Sequence, residues 1–370
     1  MNSTQRLLAA MRGEAPDRVP VSTYELVGWN PAAWENDEPS YRRLMDFARE
    51  HTDCMYMCGV PVPNVREGQI DRTVETWDEG DQHFTRTVTH APTRKLTKVT
   101  SRSDHIHTVW VREHPCKDLD DMRAYLDLPW EAGEPDFSHL ERAWADLGDD
   151  RGLPLVSVGD PICELSEVFD LGDFLVLAMT ETGEMVKALD RLHERYLERL
   201  RRQLTGPVRN VVFRICGPEY ATPPYLPPEL FRRFVTRYDG RYVEMIRAAG
   251  GIPRIHCHGK TARVVDQIAE MAPDALDPLE PPPDGDISVA ELKAAVGGRI
   301  CLTGGIELKH LEHADGEFME RLVRDTIEAG KPGGRFIIMP TAAPINVPLS
   351  PKTEANYFRF IETALDAGRY

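Results

Sequence analysis

Residues 252–259 read Ile252-Pro253-Arg254-Ile255-His256-Cys257-His258-Gly259, an apolar run that ends in two histidines and a glycine. A short apolar run that stops at a turn residue is typical of a buried strand in a parallel sheet. Side chains two residues apart on a strand project to the same face, so His256 and His258 point together while Cys257 points away. We therefore predict a strand whose carboxyl end presents two imidazoles.

Seven other apolar runs share this character, and most are followed by a loop and a stretch of helical period. The predicted strands are residues 19–24, 54–60, 155–159, 211–216, 252–258, 275–279, 300–304 and 336–339. Alternating strands and helices indicate a parallel sheet covered by helices. Eight such strands predict an α/β fold, a (β/α)8 TIM barrel, formed by one domain over residues 1–370. A doubly wound flavodoxin-like sheet is the alternative, disfavoured because no glycine-rich phosphate loop follows the first strand.

One segment, at about residues 64–115, breaks the alternation. Its polar and apolar residues alternate over 73–77, 84–90 and 107–111, and Asp78-Glu79-Gly80-Asp81 forms a turn between the first two runs. We predict a β-hairpin insertion after the second strand of the barrel, which covers the mouth.

Composition narrows the class of protein. The chain has 44 basic and 60 acidic residues, a net charge of −16, which argues against nucleic acid or an anionic membrane as a partner. No run approaches the roughly 20 apolar residues of a membrane span, and the first residues lack a secretory apolar core. The seven scattered cysteines suggest no disulfide framework. We expect a cytoplasmic enzyme with a small-molecule substrate.

Chemistry in a parallel barrel lies at the carboxyl ends of the strands. Two neutral imidazoles suit zinc or a similar divalent ion, and Glu280 ends the neighbouring strand about 5 Å away. We therefore predict a metal site formed by His256, His258 and Glu280. The alternative is a histidine pair that binds substrate or is satisfied by hydrogen bonds.

Further candidates follow other strand ends. Glu219 and Asp160 are predicted to transfer protons or contact the substrate. The alternatives for Glu219 are a fourth metal ligand, an N-cap or a loop hydrogen bond, and the alternative for Asp160 is a cap of the following helix. Lys260, Arg254 and Arg214 could supply positive charge near the mouth, although surface solvation is the commoner fate of such residues. The predicted substrate contacts are Glu25, Trp29, Tyr220 and Lys260.

These motifs together resemble the uroporphyrinogen decarboxylase superfamily, which includes the decarboxylase, zinc-dependent corrinoid:coenzyme M methyltransferases and, more distantly, cobalamin-independent methionine synthase. The resemblance spans nearly the whole chain. It is carried by Thr4-Gln5-Arg6-Leu7-Leu8-Ala9-Ala10-Met11-Arg12-Gly13, Pro16-Asp17-Arg18-Val19-Pro20, Ile255-His256-Cys257-His258-Gly259-Lys260, Leu302-Thr303-Gly304-Gly305-Ile306 and the region from Pro351 to Asn356.

The resemblance implies a zinc ligand at His256, with His258 at the position of a methyltransferase cysteine and Glu280 at that of a methionine synthase glutamate. Thr341-Ala342-Ala343 stands where the methyltransferases have a further cysteine, and no arginine-rich segment follows the first strand as it does in true decarboxylases. Imidazoles in place of thiolates leave a harder metal, which suits oxygen or carboxylate substrates or the activation of bound water.

The resemblance therefore implies a metal-dependent methyl (one-carbon) transferase acting on a small or corrinoid-linked substrate. Its expected cofactors are zinc or another divalent metal and a corrinoid methyl donor, and its expected partners are a corrinoid protein and a second copy of the chain. One alternative is a metal-free decarboxylase of a tetrapyrrole or other polycarboxylate. Another is an accessory protein that binds a tetrapyrrole or corrinoid.

Overall fold

A computed structural model describes residues 1–370 and contains eleven strands. They are β1 (Cys54–Cys58), β2 (Asp71–Glu79), β3 (Gln82–His90), β4 (Lys95–Ser103), β5 (Ile106–Glu113), β6 (Gly152–Gly159), β7 (Val212–Cys216), β8 (Ile252–His256), β9 (Ala275–Leu279), β10 (Cys301–Ile306) and β11 (Phe336–Pro340). Seven of them form a curled parallel sheet in the order β1-β6-β7-β8-β9-β10-β11. Each corresponds to one of the predicted strands, so the α/β class and the parallel sheet are confirmed.

The first predicted strand, residues 19–24, is much shorter than expected. Val21 alone makes a parallel bridge, to Ile338 in β11. On the other side, the Asp53 N–H donates to the Val21 carbonyl at 2.7 Å, immediately before β1. Pro20 lacks an N–H and Tyr24 has a φ of 57°, so a longer ladder cannot form here. This segment therefore touches both end strands of the parallel sheet without being a regular strand.

Fifteen helices accompany the strands. They are α1 (Ser3–Arg12), α2 (Trp34–Asp37), α3 (Arg42–His51), α4 (Leu119–Leu126), α5 (Ser138–Leu147), α6 (Pro161–Glu167), α7 (Leu171–Thr180), α8 (Thr182–Gln203), α9 (Pro228–Phe231), α10 (Arg237–Ala248), α11 (Val265–Glu270), α12 (Val289–Val296), α13 (Leu308–His313), α14 (Gly316–Gly330) and α15 (Pro351–Ala367). None combines the length and apolar composition that a membrane span requires.

The helices bury one face each, as α14 illustrates. It begins at the cap Asp315, whose side chain accepts from the Phe318 N–H. Its buried residues include Met319, Val323 and Ile327, which are four apart and so lie on one side of the helix. This face packs against β10, β11 and α15. Such stripes join the strands into one large hydrophobic core.

The insertion follows β1 as predicted, but it is a four-stranded antiparallel sheet in the order β2-β3-β4-β5. The tip of β5 reaches the loop after β11, where the His107 N–H donates to the Ile345 carbonyl at 2.8 Å. The Trp34 ring stacks on His107 with centroids 4.3 Å apart. The insertion therefore contacts the carboxyl-end side of the parallel sheet.

Candidate functional site

A cluster of buried charged and polar side chains lies at the carboxyl end of β8. Arg254 and His256 lie on the same face of β8, and His256 pairs in register with Asp277 on β9. His256 Nδ1 donates to Asp277 Oδ2 at 2.9 Å, and Arg254 Nε donates to Asp277 Oδ1. Arg254 Nη1 lies 3.2 Å from Met55 Sδ on β1. Arg254, His256 and Asp277 are all buried, so this hydrogen-bonded cluster lies in the interior of the protein and not on its surface.

The charge state of Asp277 fixes the tautomer of His256. Burial alone would raise the pKa of the Asp277 carboxyl, but the charge of Arg254 and the hydrogen bonds from Arg254 and His256 outweigh burial and hold that pKa well below its usual range. An ionised carboxylate only accepts hydrogen bonds, so the proton lies on His256 Nδ1. His256 Nε2 is then left for another partner.

His258 lies two residues further on, beyond the end of the strand. Its Nδ1 donates to Glu280 Oε1 at 2.7 Å, and the Gly259 N–H donates to Glu280 Oε2 at 2.6 Å. Gly259 has a φ of 95°, a conformation that favours glycine. Burial lowers the pKa of His258, but Glu280 raises it by more, and the same bond lowers the pKa of Glu280 against its own burial.

The two imidazoles are neighbours with the same kind of support. Their ring centroids lie 4.8 Å apart and the rings are nearly perpendicular. Each Nδ1 is held by a carboxylate, which is the arrangement that orients histidine ligands in metal sites. Glu280 is hydrogen-bonded to Nδ1 of His258, which points away from Nε2 across the ring, so Glu280 lies behind His258 with respect to an ion bound at Nε2. No group of three or more His, Cys, Asp or Glu side chains is arranged here to hold a metal ion.

A cavity of about 450 Å³ opens beside His258. It brings together five residues predicted from the sequence, namely Glu219, Tyr220, His258, Lys260 and Glu280. Glu219 follows β7 in a short helical turn, and its Oε2 accepts from the Gly217 N–H at 3.1 Å. The loop hydrogen bond considered as an alternative for Glu219 is thus present, yet its side chain still lines the cavity.

The other predicted residues do not line this cavity. Glu25 lies 3.9 Å from Arg214, measured from Oε1 to Nη1. Trp29 lies in a separate groove of about 760 Å³, with the Arg151 guanidinium 4.3 Å from its ring centroid. Asp160 is completely buried and caps α6, since its Oδ1 accepts from the Cys163 N–H at 2.7 Å. This places Asp160 beneath the loop of the cavity.

Sequence reasoning undervalued two arginines. The sequence left open whether Arg214 and Arg254 supply positive charge near the mouth or are solvated at the surface, and both are buried at paired positions of β7 and β8. Arg214 Nη1 donates to the Tyr24 hydroxyl at 3.0 Å, while its buried Nε has no partner. The alternation of side chains along β8 was the available signal, because it places Arg254 on the face of His256.

Glu307, the first residue after β10, is a further buried acid near the site. Its Oε2 accepts from the Thr341 hydroxyl at 3.1 Å, and its Oε1 has no partner. Burial and, secondarily, the negative charge of Glu280 raise the pKa of Glu307 to about 7. The residue can therefore exchange a proton near neutral pH.

Ionisable side chains gathered at the carboxyl ends of parallel strands define this molecule as an α/β protein of the kind that supports enzyme active sites. The family model described as uroporphyrinogen decarboxylase (URO-D) matches residues 156–361, more than half of the chain, so the chain belongs to the URO-D family. The matched part includes β7 to β11 and every residue of the two-histidine site. The predicted resemblance is confirmed.

A solved structure supports the same fold. A methyltransferase from Methanosarcina mazei is 16% identical, with 99% of each chain covered and a TM-score of 0.62. A probable ornithine cyclodeaminase from Bordetella pertussis Tohama I is 11% identical over 81% of this chain and 88% of that one, with a TM-score of 0.15. No curated protein sequence matches this chain. Family and fold together indicate a URO-D-like enzyme.

Proposed function

We propose that this protein is a URO-D-family methyl (one-carbon) transferase whose divalent metal, with zinc as the first candidate, binds to Nε2 of His256 and His258. The observation that carries the proposal is the pair of adjacent imidazoles, each fixed through Nδ1 by a carboxylate. The similarity in fold to the Methanosarcina methyltransferase agrees with it.

The donor set fits a metal in part. Two neutral imidazoles with protonated Nδ1 atoms are suitable ligands, and Asp277 and Glu280 supply the outer contacts that raise ligand basicity. Glu280, predicted from the sequence as the third ligand, supports His258 in this arrangement. A metal bound here would leave positions for substrate or water and would act as a Lewis acid.

The remaining residues of the site would bind substrate and move protons. A substrate hydroxyl or amine that accepts the methyl group releases a proton, and Glu219 lines the cavity in a position to take it up, while the electron pair of the broken bond stays with the donor. Lys260 and Tyr220 line the same cavity and would contact a small substrate, and Glu25 lies next to Arg214. The methyl donor in this proposal is a corrinoid, free or carried by a partner protein.

The finer fold is part of the proposal. We propose that residues 19–21 act as the eighth strand of a (β/α)8 TIM barrel, because they hydrogen-bond to β11 on one side and to Asp53 before β1 on the other. The insertion would then cover the mouth, since its tip bonds to the loop after β11.

A metal-free decarboxylase is the second candidate, and two observations favour it. Arg214 is a buried cation with an unpartnered Nε, suited to a carboxylate of the substrate. Glu307 has a pKa of about 7 and could protonate the carbanion that remains after loss of carbon dioxide.

Metal content and methyl transfer together test these candidates. Tag-free wild type and His258→Ala would be purified without chelator, with exposed His139→Ala on α5 as the matched control. We expect one metal per chain in wild type and His139→Ala and its loss in His258→Ala, with demethylation of methylcobalamin following the metal. A wild type that binds no added zinc and demethylates nothing would contradict the proposal and favour the decarboxylase.

A further inference from the structure

Two carboxyl groups meet inside the protein below the cavity. Asp160 follows β6 and Asp239 lies on α10, just after residues 232–236 widen into a π turn. Both residues are completely buried, and their carboxyl groups lie within hydrogen-bonding reach of each other. Asp160 Oδ1 accepts from the Cys163 N–H, while the other three oxygens of the pair have no donor.

The surroundings of the pair contain no compensating cation. Neither carboxyl group takes part in an ion pair with Lys, Arg or His. The titratable groups that face the pair are all acids, and they come from the 218–221 turn, α6, α8, α10 and the residue after β8: Glu219, Tyr220, Cys163, Tyr196, Tyr242 and Cys257. The basic residues of α8 and α10, including His193, which is hydrogen-bonded to the Tyr242 hydroxyl, form no ion pair with either carboxyl group.

Two touching carboxylates of this kind cannot both be ionised at modest cost. Burial and then the charge of Asp239 raise the pKa of Asp160 well above its usual range, and burial raises the pKa of Asp239 to about 8. A single proton between the carboxyl groups supplies the missing donor and halves the charge.

The pair lies directly against the loop that carries Glu219 and Tyr220. Gly217 has a φ of 139°, and a Cβ at this position would collide with Asp160 Oδ1. The Asp160 N–H donates to the Cys216 carbonyl at 3.1 Å, and the Gly217 N–H donates to Glu219 Oε2 at 3.1 Å. The loop is therefore in contact with Asp160 on one side and with the cavity on the other.

We propose that Asp160 and Asp239 share one proton at neutral pH and that the protonated pair positions the loop 217–220 at the cavity. Asp160 is then a positioning residue, which refines its predicted role in proton transfer. The positioning rests on the proposed function only because the cavity is taken as the substrate site. The shared proton requires neither substrate nor metal.

The test compares the pH dependence of urea unfolding in wild type and Asp239→Asn, with exposed Asp266→Asn on α11 as the control. An asparagine supplies an N–H donor to Asp160 and removes the need for the proton. The folded pair keeps a proton that an unfolded aspartate of ordinary pKa 3.8 releases, so wild type loses stability as pH rises through the range up to the pKa of the folded pair.

The unfolding equilibrium constant should rise with pH more steeply in wild type and Asp266→Asn than in Asp239→Asn. The difference should reach up to tenfold for each pH unit, the effect of one proton. Relative to the base-catalysed exchange of an unprotected amide, the protection of the Gly217, Glu219 and Tyr220 amides should fall in alkali in wild type and stay constant in Asp239→Asn. Equal slopes in wild type and Asp239→Asn would overturn the proposal. Neither urea unfolding nor hydrogen exchange depends on methyl transfer or on a metal. These measurements therefore test the shared proton independently of the proposed methyltransferase function.

If Asp239→Asn does not fold, Asp160→Asn takes its place in the comparison. Infrared spectroscopy of metal-free wild type gives a second measurement, since a protonated carboxyl group has a carbonyl band distinct from that of a carboxylate. We expect that band at pH 7 in aspartate-labelled wild type. Its absence would overturn the shared proton.

Discussion

Two buried ionic clusters at strand ends of the same sheet differ in how their charges are balanced. On β8 and β9, Asp277 lies between Arg254 and His256 and remains ionised. Below the neighbouring loop, Asp160 meets Asp239 with no cation beside them. Burial is complete for Asp277, Asp160 and Asp239, so the difference arises from the partners alone. A balanced cluster can orient an imidazole, whereas an unbalanced one retains a proton.

The largest expected effect comes from breaking the balanced cluster. Asp277→Ala leaves the Arg254 guanidinium buried without its partner, so the free energy of unfolding should fall by about 3–5 kcal/mol, measured in urea at pH 7. Asp277→Asn keeps the volume and removes only the charge, and should be destabilised to a smaller extent. A loss of unfolding free energy below about 1 kcal/mol in Asp277→Ala would show that other groups stabilise the buried positive charge of Arg254.

The second-largest effect on stability should come from breaking the contact between the Asp160–Asp239 pair and the loop 217–220. Gly217→Ala forces a strained φ and a collision with Asp160, so we expect a loss of about 2–3 kcal/mol of unfolding free energy. Gly183→Ala is the control, because it lies in α8 with open space around it and should change stability little. Equal stability of the two variants would mean that the loop does not rest on Asp160.

The His258–Glu280 pair should show the smallest effect, because His258 is about one third exposed. In metal-free protein, Glu280→Gln should cost under about 1 kcal/mol. This loss of unfolding free energy should be largest between pH 4.5 and pH 6.5, the ordinary pKa values of Glu and His, where both side chains are charged. It should become smaller as pH rises through the raised pKa of folded His258.

Histidine titration by NMR would measure this pair directly. The pKa of His258 should fall in Glu280→Gln, because the hydrogen bond to a carboxylate that favours the charged ring is lost. An unchanged pKa would contradict the observed bond between Nδ1 and Oε1.

Most of the fold was predictable because buried parallel strands are nearly continuous apolar runs. Seven of the eight predicted runs are strands of the parallel sheet. The eighth is reduced to a single bridge at Val21, because Pro20 cannot donate to a ladder. In the insertion, β4 was missed because Lys95, Lys98 and Arg102 interrupt its apolar residues, and pairing with β3 and β5 overrides that composition.

The sequence predicted which strand-end side chains lie close together, but only part of how they contact one another, and that they form the active site stays a prediction. Strand-end position and spacing identified His256, His258 and Glu280. Sequence alone could not show that Glu280 would lie behind His258, since that depends on the turn at Gly259. Nor could it bring Asp160 to Asp239, because 79 residues separate them in the numbering and only the tertiary fold, in which α10 packs against β8 and α8, brings them together.

Cobalt binding tests the central claim, that the imidazoles of His256, at the end of β8, and His258, just beyond it, share one metal ion. Chelator-treated wild type would be titrated with Co²⁺ while the visible absorption is recorded. We predict new bands that saturate near one equivalent, disappear in His256→Ala and His258→Ala, and persist with weaker affinity in Glu280→Gln. No new bands in wild type, or bands that survive both histidine substitutions, would contradict the account.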